Sequence, residues 1–164
     1  MIICPNGLPN GGINGGVVEY CPTDTSVAAF FTEIIVNGNL VIPPHKPPKE
    51  RIVKVTHDVR LNDVEVITVT LPDGTIPGNK IVVSGVITLN IQYAADVPTQ
   101  KVHFVHYDLP FNALILTDCG EPIPLADFPD DFVVHVCVEK LRLTQIDSRT
   151  LSKEIVLMIW VEEI

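Results

Sequence analysis

The run KIVVSGVITLNIQY, residues 80–93, carries the plainest pattern in the chain. Ile81, Val83, Ile87, Leu89, Ile91 and Tyr93 share one parity, with Gly85 among them, while Ser84, Thr88, Asn90 and Gln92 share the other. A strand sends successive side chains to opposite faces, so this alternation predicts a long half-buried strand. Ser84-Gly85 falls in mid-strand, where a glycine marks a close backbone approach or a bulge.

Working outward, RIVKVTHDVRL (51–61) alternates too, with Val53, Val55, Val59 and Leu61 set against Lys54, Thr56, Asp58 and Arg60. LPDGTIPGNK (71–80) reads as a longer loop between strands. In TEIIVNGNLVIP (32–43), Asn37-Gly38 stands between two β-rich runs and predicts a type I′ hairpin, because both central residues of that turn need φ > 0. DFVVHVCVEKLRL (131–143) and SKEIVLMIWVEE (152–163) complete the set. The last run is apolar on both parities (Ile155, Leu157, Ile159; Val156, Met158, Trp160) and should be covered on both faces, inside a sandwich or against another chain. No segment shows a helical stripe, and prolines fall between the strand runs, as in IPPHKPPKE (42–50) and CGEPIPLADFPDD (119–131). The reading is one all-β domain, a β-sandwich of about eight or nine strands over residues 26–164. A Gly/Asn-rich N-terminal arm, residues 1–25, precedes it.

The chain has 164 residues, 46% of them hydrophobic, yet no apolar run approaches the ~20 residues of a membrane-spanning helix. The apolar content belongs in a core or between copies. A net charge of −9 with scattered Lys and Arg argues against nucleic acid and against an anionic membrane surface as partners. The start MIICPNG lacks a basic n-region and an apolar core, so no signal peptide is expected. Synthesis in the cytoplasm, with release by lysis of the producing cell, is the expected route if the protein ends up outside.

Chemistry is sparse. His103 and His106 lie three apart on a predicted strand and so face opposite sides. His57 and His135 are single, and His45 sits among prolines. Ordinary surface or core histidines are the simpler reading, because a metal needs three or four converging ligands. No G-x-S-x-G and no local catalytic cysteine signature occurs. Asp127, Asp130 and Asp131 lack the spacing of a calcium loop. NGGINGG (10–16) lacks the Lys-Ser/Thr pair of a phosphate cradle and is not followed by a helix pattern. No catalytic residue, metal or cofactor is expected.

The four cysteines, Cys4, Cys21, Cys119 and Cys137, include no C-x-x-C pair. Four cysteines allow three internal pairings. Cys137 reads as a half-buried strand thiol. Cys4 and Cys21 on the arm are consistent with a tail carrying incidental cysteines, with internal disulfides, or with an arm that docks on a neighbouring copy and is locked there on oxidation. For the last reading the cross-link candidates are Cys4, Cys21 and Cys119, Cys119 because a loop is accessible. Val17, Val18, Glu19 and Tyr20 form the segment able to add as a strand to an open edge.

Four stretches together resemble the SPOCS-domain family of spore coat and spore morphogenesis proteins in endospore-forming bacteria. They are LVIPPHKPPKERIVKVTHDVRLNDVEVITV (40–69), GNKIVVSGVITLNIQYAAD (78–96), KVHFVHYDLPFNALI (101–115) and DSRTLSKEIVLMIWV (147–161). The features are the proline-rich segment Pro43–Pro48, Gly85, Tyr93, the Leu109–Phe111 LPF, and Asp147 with Arg149. The resemblance covers roughly residues 30–164 and implies a β-rich, non-catalytic module working through protein–protein contact. Members often carry a carboxy-terminal LysM domain; this sequence stops at Ile164, so peptidoglycan binding is not expected of it. The setting implied is the spore surface, reached after mother-cell lysis, with oxidation following exposure. The expected role is a structural, self-assembling coat or filament protein whose partner is itself, together with other spore coat proteins. The alternatives are a monomeric adaptor for another morphogenesis protein and a carbohydrate-binding β-sandwich. The last is disfavoured by a single Trp in the most apolar strand.

Overall fold

A computed structural model describes residues 28–99, 101–117 and 119–164. The arm of residues 1–25, with Cys4, Cys21 and the Val17–Tyr20 segment, lies outside the described residues.

Six strands form the domain: β1 Ala28–Val41, β2 Lys49–Val69, β3 Gly78–Ala95, β4 Val102–Ile115, β5 Phe132–Gln145 and β6 Thr150–Glu163. They make two three-stranded antiparallel sheets, β1-β6-β5 and β2-β3-β4. The two central strands, β3 and β6, supply most of the core. Ile81, Val83, Ile87, Leu89, Ile91 and Tyr93 of β3 are buried in one cluster with Leu151, Ile155, Leu157, Ile159 and Val161 of β6. The sheets therefore face each other across a shared apolar layer, with alternating inward positions as a sandwich requires.

The strand count is six rather than eight or nine, and the reason is strand length. β1 runs unbroken through Asn37-Gly38, so the hairpin expected there is not formed. Asn37, Gly38 and Asn39 pair in register with Glu154, Lys153 and Ser152 of β6. Gly38 keeps a positive φ of 128°, but it serves a different need. A Cβ at that position would stand 3.0 Å from Nζ of Lys153, an inward-facing lysine whose pKa is lowered by burial. A continuous ladder on β6 and room for a buried ammonium outweigh the local turn preference.

Register shifts also move one expected inward residue. Between Ile52 and Lys54 the pairing of β2 with β3 slips. Ile52 packs on the core and Val53 points to solvent, the reverse of the simple alternation. A bulge turns the following side chains over in this way.

Gly85 is a place of close approach. It pairs with Phe111 of β4, and a Cβ on it would lie 2.4 Å from Cζ of Phe111 and 2.6 Å from the carbonyl oxygen of Arg60. The Phe111 ring occupies the space that a side chain would take.

Candidate protein interface

One end of the sandwich is tied by a knot of hydrogen bonds, and the residues of the family resemblance meet there. The proline-rich segment 43–48 leads from β1 in one sheet to β2 in the other. Its carbonyls are taken up by side chains from both sheets. Tyr93 of β3 donates its hydroxyl to the Pro47 carbonyl at 2.8 Å. Arg149, in the β5–β6 turn, donates to the carbonyls of Pro43 at 3.2 Å and Lys46 at 2.9 Å. Lys49 is 1% exposed and donates its ammonium to the Asp147 carbonyl and, at 3.4 Å, to that of Thr150. Burial lowers the Lys49 pKa, opposed by the nearby Asp147 charge. Asp147 in turn accepts from the Arg149 backbone N–H at 2.8 Å, a contact that lowers its own pKa. A segment with four prolines offers acceptors and few donors, so buried cationic and phenolic donors are what its carbonyls require. On the β4 side, the Tyr107 hydroxyl donates to the Val41 carbonyl at 3.0 Å, and burial pushes its pKa up to about 12. The family-like residues thus hold the two sheets together.

The surfaces left over are of two kinds. The outer face of β2-β3-β4 is polar. Thr88 donates to Asp108 at 2.8 Å, and Ser84 to Asn112 at 2.9 Å; His106 lies 2.8 Å from Asn90 and 3.1 Å from Asp108. His103 points the other way and stacks on Tyr93, as their odd spacing predicts. Among the described residues no group of three His, Cys, Asp or Glu converges as a metal site.

The outer face of β1-β6-β5 is different. Register places Phe31, Trp160 and His135 in one row, Glu33, Met158 and Cys137 in the next, and Ile35, Val156 and Lys140 in a third. Trp160 stacks on His135 with ring centroids 5.1 Å apart, and Glu162 meets the same imidazole at 2.6 Å. Cys137 is disulfide-bonded. Cys119, in the β4–β5 loop, is free and exposed. Each outer strand, β1, β5, β2 and β4, pairs on one side only among the named strands. Large apolar side chains stand exposed on all four: Ile35 (65%) on β1, Phe104 (59%) on β4, Val66 and Ile67 on β2, and Val133 on β5.

Glu33 and Glu139 face each other across β6, and sequence reading gave no hint of this pair. Burial first, then the hydrogen bond and charge of Glu33, push the Glu139 carboxyl up to about 7. An acid whose pKa rises on folding binds its proton more tightly in the folded state. Its stabilising effect is therefore complete below the ordinary value of 4.5 and fades as pH climbs to about 7. Thermal midpoints measured across that window are expected to fall for the wild type and to fall less steeply for Glu139→Gln. Equal slopes in the two proteins would mean that the pair does not set the dependence.

Residues 50–122 match the family model described as SipL, SPOCS domain. That stretch is the β2-β3-β4 sheet without Lys49, and the start of the loop after it. No curated protein and no solved structure matches the chain. No helix among the described residues is long and apolar enough to cross a membrane. The matched stretch lies within the residues that resemble the SPOCS-domain family of spore-associated proteins, so residues 50–122 are similar to a SipL SPOCS domain.

Proposed function

We propose that this chain is a structural, non-catalytic protein of the bacterial spore surface that assembles with copies of itself into a coat layer or filament. The observation that carries the reading is the set of outer strands. Four strands of 14 to 21 residues each keep one side without a partner strand among the named elements. An unpaired strand edge beside exposed apolar side chains is a template for another chain. A head-to-tail contact that does not close on itself grows without limit, which is what a filament or layer needs. The arm then serves as a strap, with Cys4, Cys21 and Cys119 as candidates for disulfides between copies once the spore is exposed to oxidant.

The net charge of −9 makes copies repel at long range. Apolar and strand contacts act only at short range, and salt screens charge beyond ~10 Å at ordinary ionic strength. Light scattering and negative-stain microscopy of the purified full chain are therefore expected to show ordered polymers that strengthen from low to moderate salt. A species that stays monomeric at high concentration in oxidising buffer sinks the proposal and favours the adaptor. Assembly that weakens steadily over the same salt range points instead to ionic interfaces.

A further inference from the structure

The geometry points to a two-fold contact between copies, in which the β2 edge of one chain pairs antiparallel with the β2 edge of another and Arg60 of each lies opposite Glu65 of the other. The inference rests on the self-assembly reading for its occupant, a second copy, and names the edge and the register.

β2 is the outer strand least guarded against such pairing. Its 21 residues contain no proline and no glycine. β4 carries Pro110, and a proline in an edge strand leaves a gap in any ladder built on that edge. β1 carries Gly38 at a φ of 128°. On β5, Val133 is the one large apolar side chain that stands exposed; on β2 there are Val53, Val64, Val66 and Ile67. From Asn62 to Thr68 every residue of β2 is exposed, on both parities. Val64 and Val66 belong to the inner layer, since they pair with Val83 and Ile81, both fully buried, yet they are 39% and 42% exposed. The shared apolar layer is thus half-bare along this rim. An open edge beside an uncovered apolar strip is a template for another strand.

The register follows from the slip in β2. Directly opposite residues of an antiparallel pair share a face. Before the shift between Leu61 and Asp63, the odd residues Val59 and Leu61 face the layer, opposite Ile87 and Gly85; after it, the even residues Val64 and Val66 do. Arg60 and Glu65 stand on the outer face, opposite Val86 and Val82. A two-fold pair that keeps inner with inner therefore joins odd residues before the slip to even ones after it. An axis between Asn62 and Asp63 sets Leu61 against Val64 and Val59 against Val66 on the inner face, and Arg60 against Glu65 on the outer, each twice. Sliding the strands by two residues one way sets Asp58 against Glu65; the other way, it sets Arg60 against Ile67. Among the described residues the ion pairs are His106–Asp108, His135–Glu162 and Lys140–Glu154, and neither Arg60 nor Glu65 is in one. The product is a continuous sheet from β4 of one copy through both β2 strands to β4 of the other. A two-fold contact closes at two copies, so growth beyond the dimer falls to the other outer strands.

The test is sedimentation velocity of the full chain over a concentration series, in reducing buffer at one salt concentration, which resolves monomer, dimer and larger polymers. The samples are wild type, Arg60→Glu, Glu65→Arg and an equimolar mixture of the two variants. Both residues are exposed, so both variants keep the fold. A dimer is expected for the wild type. Each variant alone sets like charges opposite one another twice and is expected to raise the dimer Kd about ten-fold or more. In the mixture every pair again joins opposite charges, and a Kd close to that of the wild type is expected to return. Amide exchange of the wild type gives a second readout: β2 amides from Val59 to Val66 are expected to slow as the dimer forms, and those of β4 to stay as they are. A dimer indifferent to both variants, one weakened but not restored on mixing, unchanged β2 exchange, or no dimer at any concentration overturns the pairing. Polymers without a β2-dependent dimer leave self-assembly standing; a dimer that behaves as expected but never grows sinks the coat or filament while the pairing holds.

Discussion

A Gly85→Val chain is expected to melt far below the wild type. The Phe111 ring and the Arg60 carbonyl occupy the site where a Cβ would go, at 2.4 Å and 2.6 Å. An aromatic ring can tilt; a carbonyl paired in a sheet cannot withdraw without opening the β2–β3 ladder. Overpacking a core commonly costs about 1–3 kcal/mol for added methylenes. Here even alanine meets backbone, and valine adds two further methyls to the same space. Against a total stability of about 5–15 kcal/mol, that is a large share. Gly85→Ala is the graded version, expected to lower the thermal midpoint by roughly 2–4 °C for each kcal/mol lost. Phe111→Ala alone removes a buried ring and costs about 3–5 kcal/mol. The double variant Gly85→Ala/Phe111→Ala is expected to cost less than the sum of the two, because the ring clash is gone while the carbonyl clash stays. A Gly85→Val protein melting close to the wild type would mean that the ladder yields at this point after all.

Tyr93→Ala carries the second large effect, and Tyr93→Phe divides it. The side chain is fully buried, stacks on His103 and gives its hydroxyl to the Pro47 carbonyl. Truncation to alanine empties the core beneath the proline segment and costs about 3–5 kcal/mol. Phenylalanine fills the space and removes only the hydrogen bond, about 1 kcal/mol, somewhat more because the carbonyl is left without its donor. Chemical denaturation of the three proteins gives both numbers. If Phe costs as much as Ala, the hydroxyl rather than the ring holds the knot.

What the sequence discloses follows from how local each cause is. β3 was legible because its alternation is unbroken over residues 80–93, whereas Gly85 within it could be read only as a close backbone approach or a bulge, and the close approach is what the Arg60 carbonyl and the Phe111 ring make there. β6 announced burial on both parities, and Met158 and Trp160 are indeed buried on its outer side. Asn37-Gly38 misled because a two-residue turn signal is local, whereas the ladder that overrides it comes from Lys153 and Glu154, far along the chain. Strands of 14 to 21 residues are well above the usual five or six, so dividing the pattern at turn-like residues inflated the count. Pro43–Pro48, Tyr93, Asp147 and Arg149 stood out by resemblance, but no spacing rule says that they meet. Glu33 and Glu139 gave no signal, since their meeting depends on β6 lying between β1 and β5.

The pairing of β1 with β6 sets a clock on synthesis. β2, β3 and β4 are neighbours in sequence and in space, so they can zip hairpin by hairpin as they leave the ribosome. β1 leaves before them and has no strand to pair with until β6 is made. At translation speeds of ~5–20 residues per second, the wait from Val41 to Thr150 is on the order of 5–20 s. Throughout it the inner face of β2-β3-β4 has no opposite sheet, and the nascent chain is at its stickiest. The finished subunit appears late and all at once, when β6 slides between β1 and β5. A ribosome halted within the β5–β6 turn therefore holds a chain with two orphan strands, the most aggregation-prone form this sequence can take.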